Sequence, residues 1–576
     1  MEEFRNLTPA EIGAVEALGN RADDWSRVMV APDFEPRQLH NVRFDGDVHI
    51  GSRTVIENAR VANYEIGADC TVRDTVALEC RHRSTFGNGT EVEAVNECGG
   101  RTVRIFEQMS AQYAYIVAMY RHRTATIERL NGFAADYAEQ RASAMGRVGD
   151  GCKIEGAKFV REMRIGNNAT IEGVSLLENG TLLDGAYAGV DVKARDFIAA
   201  EDSTLDTGAT CHRCFVGERA IVANGFTAEN SLFFAGSHCE NGEAVAIFAG
   251  PFTVSHHKSS LLISGLFSFF NAGSGTNQSN HLFKGGAVHQ AVHLRGCKFA
   301  SNAYVMAPAI EGAYTMIMGR HYKHHDTSAM PFSYLIESDG ASLLMPALNL
   351  RSYGTARDIE KWRKRDKRTV RRDNIDFAEY NPYIAERVMG ATAILKGLHS
   401  AHPDDSVYHY NNTTIRRSAL LHGIKLYEKY IDCALADMLA RGAVASEAED
   451  CGSWADIAGQ YVAKQYLNNL LDQIDCGTLH PSELDKALRD YDSDYDNHVH
   501  SWAWGAFAER IGHMPTAEDI AQLTERGAEA RRSLRETIEA DRDKENSAEM
   551  SVGYGVDCDS EQERLADYRA VRGLKE

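Results

Sequence analysis

Val148-Gly149-Asp150-Gly151-Cys152-Lys153-Ile154-Glu155-Gly156-Ala157 is answered a few residues later by Ile165-Gly166-Asn167-Asn168-Ala169-Thr170-Ile171-Glu172-Gly173-Val174. In both, an aliphatic residue recurs at the sixth position, a small residue sits four after it, and Gly or Asn fills the gaps. The phrase also appears at Ile50-Gly51, at Ile66-Gly67-Ala68-Asp69-Cys70-Thr71, and at Val216-Gly217-Glu218-Arg219-Ala220. Each unit reads as one short strand and one turn. Three units make a triangular coil of about eighteen residues, in which the aliphatic residue stacks on its copies one coil away. Gly and Asn accept the positive φ of the corners. A single coil cannot bury its own apolar face, so such units are stable only when stacked.

Working outward, the repeat grammar occupies residues 41–350. Residues 1–40 are a lead-in with one helix, where Thr8, Pro9 and Glu11 have the spacing of a capping box. Residues 101–147 lack the repeat. Ile105, Met109, Ile116, Met119 and Ile127 approximate helical spacing there, which predicts two helices joined around Asn131-Gly132 and inserted between coils. From residue 351 to 576 the periodicity is helical, and residues 361–372 are strongly basic. The expected fold is a β-solenoid, a left-handed parallel β-helix, with an inserted helical hairpin and a C-terminal all-α domain.

Composition sets bounds on function. The chain has 576 residues and a formal charge of −20, which argues against broad nucleic-acid binding, because that is carried by Lys and Arg on phosphates. No apolar run is long enough to span a bilayer. The start, MEEFRNLTPAEIG, has no basic segment followed by an apolar one, and twelve cysteines in such a chain suggest reduced thiols, hence a cytoplasmic location. Cys211-His212-Arg213-Cys214 has no second pair to complete a zinc site and reads as small residues packed in a strand.

The segment Ser255 to Tyr334 crowds His, Lys, Arg, Asn and Gly together. His256, His257, His289 and His321 are the candidates for a general base, since imidazole titrates near working pH. Lys284-Gly285-Gly286 has the makings of a phosphate-approach loop, in which Gly lets the backbone close on an anion and Lys supplies charge. Arg295, Arg320 and Lys323 would add to an anion site. Asn280, His281, Gln290, Asn302 and His324, with Asn277 and Gln278, supply donors and acceptors of the kind that read sugars or nucleobases. The basic stretch 361–372 is either a solvated helix face or an anion-binding wall beside this site.

The repeat resembles that of the hexapeptide-repeat superfamily. Over nearly its full length the chain resembles a family of long bacterial proteins that join such a β-helix to a C-terminal helical domain and are labelled sugar-nucleotide acyltransferases or uridyltransferases. The residues that carry this are NHLFKGGAVHQ, Asn280 to Gln290, and MGRHYKH, Met318 to His324. The resemblance implies a transferase acting on a nucleotide-linked or phosphorylated sugar by acyl transfer, with a histidine base. Acyl-CoA or acyl-carrier protein would be the co-substrate, no cofactor would be covalently bound, and the assembly would be a homo-oligomer. Two alternatives stand beside it. One is a solenoid that binds ligands or acts as a scaffold without catalysis. The other is a zinc site like that of gamma-type carbonic anhydrases, built from His289 and His293 or from His321 and His324, although no metal is expected.

Overall fold

The computed structural model describes residues 3–279, 286, 288–442 and 452–574. Its spine is a parallel β-solenoid. One face can be followed rung by rung through Leu39, Ile56 and Val72 to Ile154, Ile171, Ala188, Leu205, Val222 and Cys239. It continues through Ser255, Ala272, Phe299, Ile317 and Leu335. These positions pair in parallel register and point inward, and nearly all are fully buried.

The coil is shorter than three hexads. From Ile154 to Ile171, and again to Ala188, Leu205 and Val222, each step is 17 residues. The buried positions Val148, Ile154, Val160, Ile165, Ile171, Leu177 and Leu182 show why: two hexads are followed by a pentad. The missing residue is taken from one corner, where a single residue turns the chain within a continuous strand. Asn179, Asp196, Arg213 and Asn230 hold this position in successive coils, with φ of 50°, 52°, 51° and 48°. Asn and Asp suit it because their short side chains tolerate the left-handed region. They also hydrogen-bond along the stack, as Asn179 Nδ2 does to Asp196 Oδ1 at 2.6 Å. Cys211 and Cys214 flank one such corner and face inward, and the described cysteines are all free thiols.

Helix α1, Pro9–Ala17, caps the first coils. Thr8 Oγ1 accepts from the Glu11 amide and Glu11 accepts from the Thr8 amide. The inserted helices are α2, Ala111–Met119, and α3, Thr124–Arg141. Their junction is at residues 120–123, so Asn131-Gly132 lies inside α3 and does not join the two. Nothing crowds Gly132, and Leu130 and Ala134 beside it are buried, so tertiary packing outweighs the local cost of the glycine.

After the last solenoid hairpin come α4, Tyr353–Arg365; α5, Pro382–Ala401; α6, Arg417–Leu439; α7, Lys464–Cys476; α8, Leu484–Asp492; α9, Tyr495–Ile511; α10, Ala517–Lys544; and α11, Glu561–Arg572. Helical periodicity does not reveal two β-hairpins in this region. Val407–Tyr410 pairs with Thr413–Arg416, which extends the solenoid sheet, and Trp454–Ile457 pairs with Gln460–Ala463. Among the described residues no helix is long and apolar enough to cross a membrane.

The helical region is fastened to the solenoid by buried charge. Arg295 lies between the rings of Phe269 and Tyr461, 4.2 Å from each centroid. Its Nε is 2.6 Å from Asp456 Oδ2, and it donates to the carbonyls of Asp376 and Gly459. Asp373 accepts from the Ala111 amide at the start of α2 and from the Ala235 amide on the solenoid. Arg123, just before α3, meets Asp472 of α7 at 2.6 Å. The insertion and the C-terminal helices thus pack on each other as well as on the coil.

Candidate functional site

The residues singled out in Ser255 to Tyr334 fall in different places. Asn280, His281, Lys284 and Gly285 lie outside the described residues. Gly286 has a φ of 94° and is exposed, and Asn302 is an exposed corner with a φ of 59°. Arg320, Lys323 and His324 are exposed, and His257 is exposed on another face. Two assignments are corrected. Arg295 cannot hold a ligand anion, because it is buried and already bonded to Asp456 and two carbonyls. His321 cannot serve as a base on substrate. It is fully buried, with Nδ1 2.8 Å from Ser342 Oγ and Nε2 3.2 Å from the Met318 carbonyl. Gln278 also points into the closed core.

Those inward positions belong to a polar interior at the end of the solenoid. In the register Phe267, His293, Glu311, the aliphatic stack gives way to charge. His293 stacks on Phe267 at 4.9 Å, with Nδ1 2.6 Å from Glu311 Oε2. His325 Nε2 is 2.7 Å from Glu311 Oε1, and its Nδ1 faces the Lys323 carbonyl at 3.1 Å. Burial alone would raise the Glu311 pKa, but His293 and His325 hold it well below the usual carboxylate range. Burial would lower His325, and the bond to Glu311 outweighs it and raises it. Burial, then the charge of His325, pushes His321 down to about 4. The pairs named in the alternative zinc reading are not brought together. His293 and His321 are inside, whereas His324 is exposed and His289 only half-buried.

Gln290 and His324 line a surface cavity of about 490 Å³ with Pro308, Asp326, Asn411 and Asn412. Gln290 Oε1 is occupied by Arg101 Nε at 2.9 Å, and Asn411 Nδ2 donates to the Asp326 carbonyl at 3.0 Å. Asn411 and Asn412, at the tip of the hairpin at 407–416, form one wall of it.

A more developed cleft lies on another face, between α4 and the solenoid, and His256 is on its floor. One cavity of about 150 Å³ is walled by Phe269, Tyr314 and Trp362. Trp362 meets Phe269 edge-on at 4.9 Å, which seats α4 on the coil. A second cavity, of about 380 Å³, shares His256, Phe252, Trp362 and Arg365 with the first and runs on to Arg219 and Lys367. The basic stretch thus divides its work. Arg368 pairs with Asp366 and Arg372 with Glu201, while Glu218 accepts from the amides of Val370 and Arg371, so these residues anchor the chain. Lys361 and Arg365 are left facing the cleft. Burial lowers the Lys361 pKa, the charge of Arg365 lowers it further, and Asp358 on the same helix opposes both.

On the solenoid side, His256 is one of three converging side chains. His238 and Glu240 stand two apart on one strand, His238–Glu240, and so share a face. Cys239 pairs with Ser255 in the next coil, which brings His256 into register with Glu240. His238 Nε2 is 2.9 Å from Glu240 Oε1, His256 Nδ1 is 3.7 Å from Glu240 Oε2, and the imidazole rings meet edge-on at 4.3 Å. Burial, followed by the neighbouring His238, lowers the His256 pKa. These three are the group among the described residues whose donor atoms could close on a metal ion, all lying within 4.8 Å of one another. Sequence reasoning picked out His256 and missed His238 and Glu240. The available signal was the coil period applied to the i, i+2 pair in His238-Cys239-Glu240.

Solenoid, helical cover and cleft define a class: a long parallel β-solenoid whose C-terminal helices roof a basic, aromatic groove on one face. The chain belongs to the family described as "Domain of unknown function (DUF4954)", whose profile matches residues 4–60 and 48–399. A second profile, "Domain of unknown function (DUF6819)", matches residues 436–576. A Treponema pallidum (strain Nichols) protein described as "Uncharacterized protein" is 23% identical over 464 residues, which is 68% of this chain and 61% of the relative. The chain thus spans about 61% of the length of the curated relative it matches. The 17-residue coil sets it apart from a strict hexapeptide repeat.

Proposed function

We propose that the chain is a transferase acting on a nucleotide-linked or phosphorylated sugar, by acyl transfer, in the cleft between α4 and the solenoid. The observation that carries this reading is the opposition of Lys361 and Arg365 to His256 across a cavity walled by Phe269 and Trp362. Lys361 and Arg365 on one wall suit a phosphate, and aromatic faces suit a sugar or base ring. Glu240 holds the imidazoles in place, as a carboxylate does for a catalytic histidine. His256 Nε2 would take the proton from an acceptor hydroxyl or amine as that group attacks the thioester carbonyl of acyl-CoA or acyl-carrier protein. The new C–O or C–N bond forms, the C–S bond breaks, and the proton passes on to the departing thiolate.

A thermal-shift screen with nucleotide sugars, sugar phosphates and acyl-CoAs tests this, followed by an assay for free thiol with any pair that binds. Stabilisation by a phosphorylated sugar that disappears in Lys361→Ala/Arg365→Ala, with thiol release that disappears in His256→Asn, supports the reading. Absence of any shift overturns it. Binding without thiol release leaves a ligand-binding solenoid in its place.

A further inference from the structure

We propose that His238, Glu240 and His256 form a binding site for a divalent transition-metal ion such as Zn²⁺, and that metal occupancy and the proton-acceptor role of His256 exclude each other. The first half stands on geometry alone; the second rests on the proposed function.

Residues two apart on a strand point to one side, and the next rung lies about 4.8 Å away. A pair at i and i+2, with a third ligand one rung on, is therefore a compact triangle on a rigid surface. His238, Glu240 and His256 occupy those three points, fixed by the Cys239–Ser255 register. Zinc bonded at about 2.0–2.1 Å holds neighbouring donors about 3.3 Å apart in tetrahedral geometry. The two imidazoles lie 2.9 and 3.7 Å from the two oxygens of Glu240, and one donor atom from each residue lies within 4.8 Å of the others, so side-chain rotation closes the triangle. Two imidazoles and one carboxylate are the ligand set of many zinc and non-haem iron sites, and they leave coordination positions open.

Those open positions face the cleft. His256 and His238 both line the larger cavity, so an ion here would be reachable from solvent and would sit at the edge of the proposed anion site. Glu240 supplies the negative charge that makes a cation tolerable beside Arg365 and Arg219. The coupling follows from the tautomer. A neutral imidazole has one free lone pair, so an ion bonded to His256 Nδ1, the nitrogen that faces Glu240, leaves the ring proton on Nε2 and no lone pair there to take another; the ion would also pull the His256 ring toward Glu240. The site would thus make the protein sensitive to free transition metal without any change in fold.

Titration calorimetry of the full chain with Zn²⁺ alone tests the site. Binding at one equivalent is expected, weakened at least 30-fold in His238→Asn, Glu240→Gln and His256→Asn, and unchanged in the exposed neighbour His257→Asn. No binding, or binding that survives all three substitutions, overturns the site. Carbethoxylation of His256 by diethyl pyrocarbonate, followed by mass spectrometry, tests the exclusion. Zn²⁺ should protect His256 at least tenfold, and equal modification with and without metal overturns it. Neither readout needs substrate or turnover, so a failed transferase assay leaves them interpretable.

Discussion

His293 Nδ1 lies 2.6 Å from Glu311 Oε2 inside the closing coils of the solenoid, with both side chains fully buried. A buried ion pair contributes little net stability over a well-packed apolar core, but removing one partner leaves a charge in low dielectric. Glu311 serves both His293 and His325. Glu311→Gln keeps the shape and removes the charge, and should cost about 3–5 kcal/mol, read as a lower midpoint in urea. A midpoint within experimental error of the parent would show that the Glu311 charge contributes nothing to the fold.

Acidification should weaken the same region. The His321 pKa is held near 4 in the fold against an ordinary 6.5, so as pH falls below 6.5 the unfolded chain takes up a proton that the folded chain refuses. Stability is then lost progressively between about pH 6.5 and 4, by up to about 3 kcal/mol from this group. Glu311, with its pKa depressed, adds a loss below the ordinary carboxylate range. His325 is raised, so its contribution is present below about 6.5 and fades as pH rises through its folded value. His321→Leu should flatten the acid limb of melting temperature against pH. An unchanged slope would place the proton uptake elsewhere.

Arg295 holds the hairpin at 454–463 to the coil. Arg295→Met preserves the stem between Phe269 and Tyr461 but strands Asp456, at a cost of about 3–5 kcal/mol. Denaturation followed by Trp fluorescence should show the helical region unfolding at lower denaturant, and Asp456→Leu in the same chain should restore part of the loss.

Lys361 and Arg365 make no hydrogen bond or ion pair among the described residues, and Arg365 is exposed. Lys361→Ala/Arg365→Ala should therefore change stability by no more than about 0.5 kcal/mol while abolishing stabilisation by phosphorylated ligands. A large drop in melting temperature without ligand would assign them to the fold instead.

The pentad face tolerates no added bulk where aromatic rings cross it. A Cβ at Gly180 would stand 2.3 Å from the Phe197 ring of the next coil. Gly180→Ala should cost about 1–3 kcal/mol by overpacking, and the double variant Gly180→Ala/Phe197→Leu should recover part of it, both read by urea denaturation.

The sequence alone determined the solenoid, because a stacked coil writes the same demand on the chain at every turn: an aliphatic residue inward, a small one near it, and Asn, Asp or Gly at each corner. That redundancy makes the repeat legible even where single copies are poor, and it also gave the inserted helices and the helical C-terminal region. It did not give the pentad, because one missing residue per coil is hidden when only a few copies are read in hexads. The site was legible in one residue, His256, together with the alternative reading of 361–372 as an anion-binding wall. The rest depended on tertiary structure. His289 and His293, four apart, divide between a half-buried position and the core, whereas His321 and His325, also four apart, both face inward, so a count of nearby imidazoles could not separate the buried His293 from the accessible His256. Arg295 resembles a ligand-binding arginine until the Asp456 carboxylate, 161 positions away, is brought beside it. The meeting of Glu240 with His256 is fixed by coil register, and that of Lys361 with His256 by the docking of a helix about a hundred residues further on. Contacts of that separation are decided by packing, which no local pattern encodes.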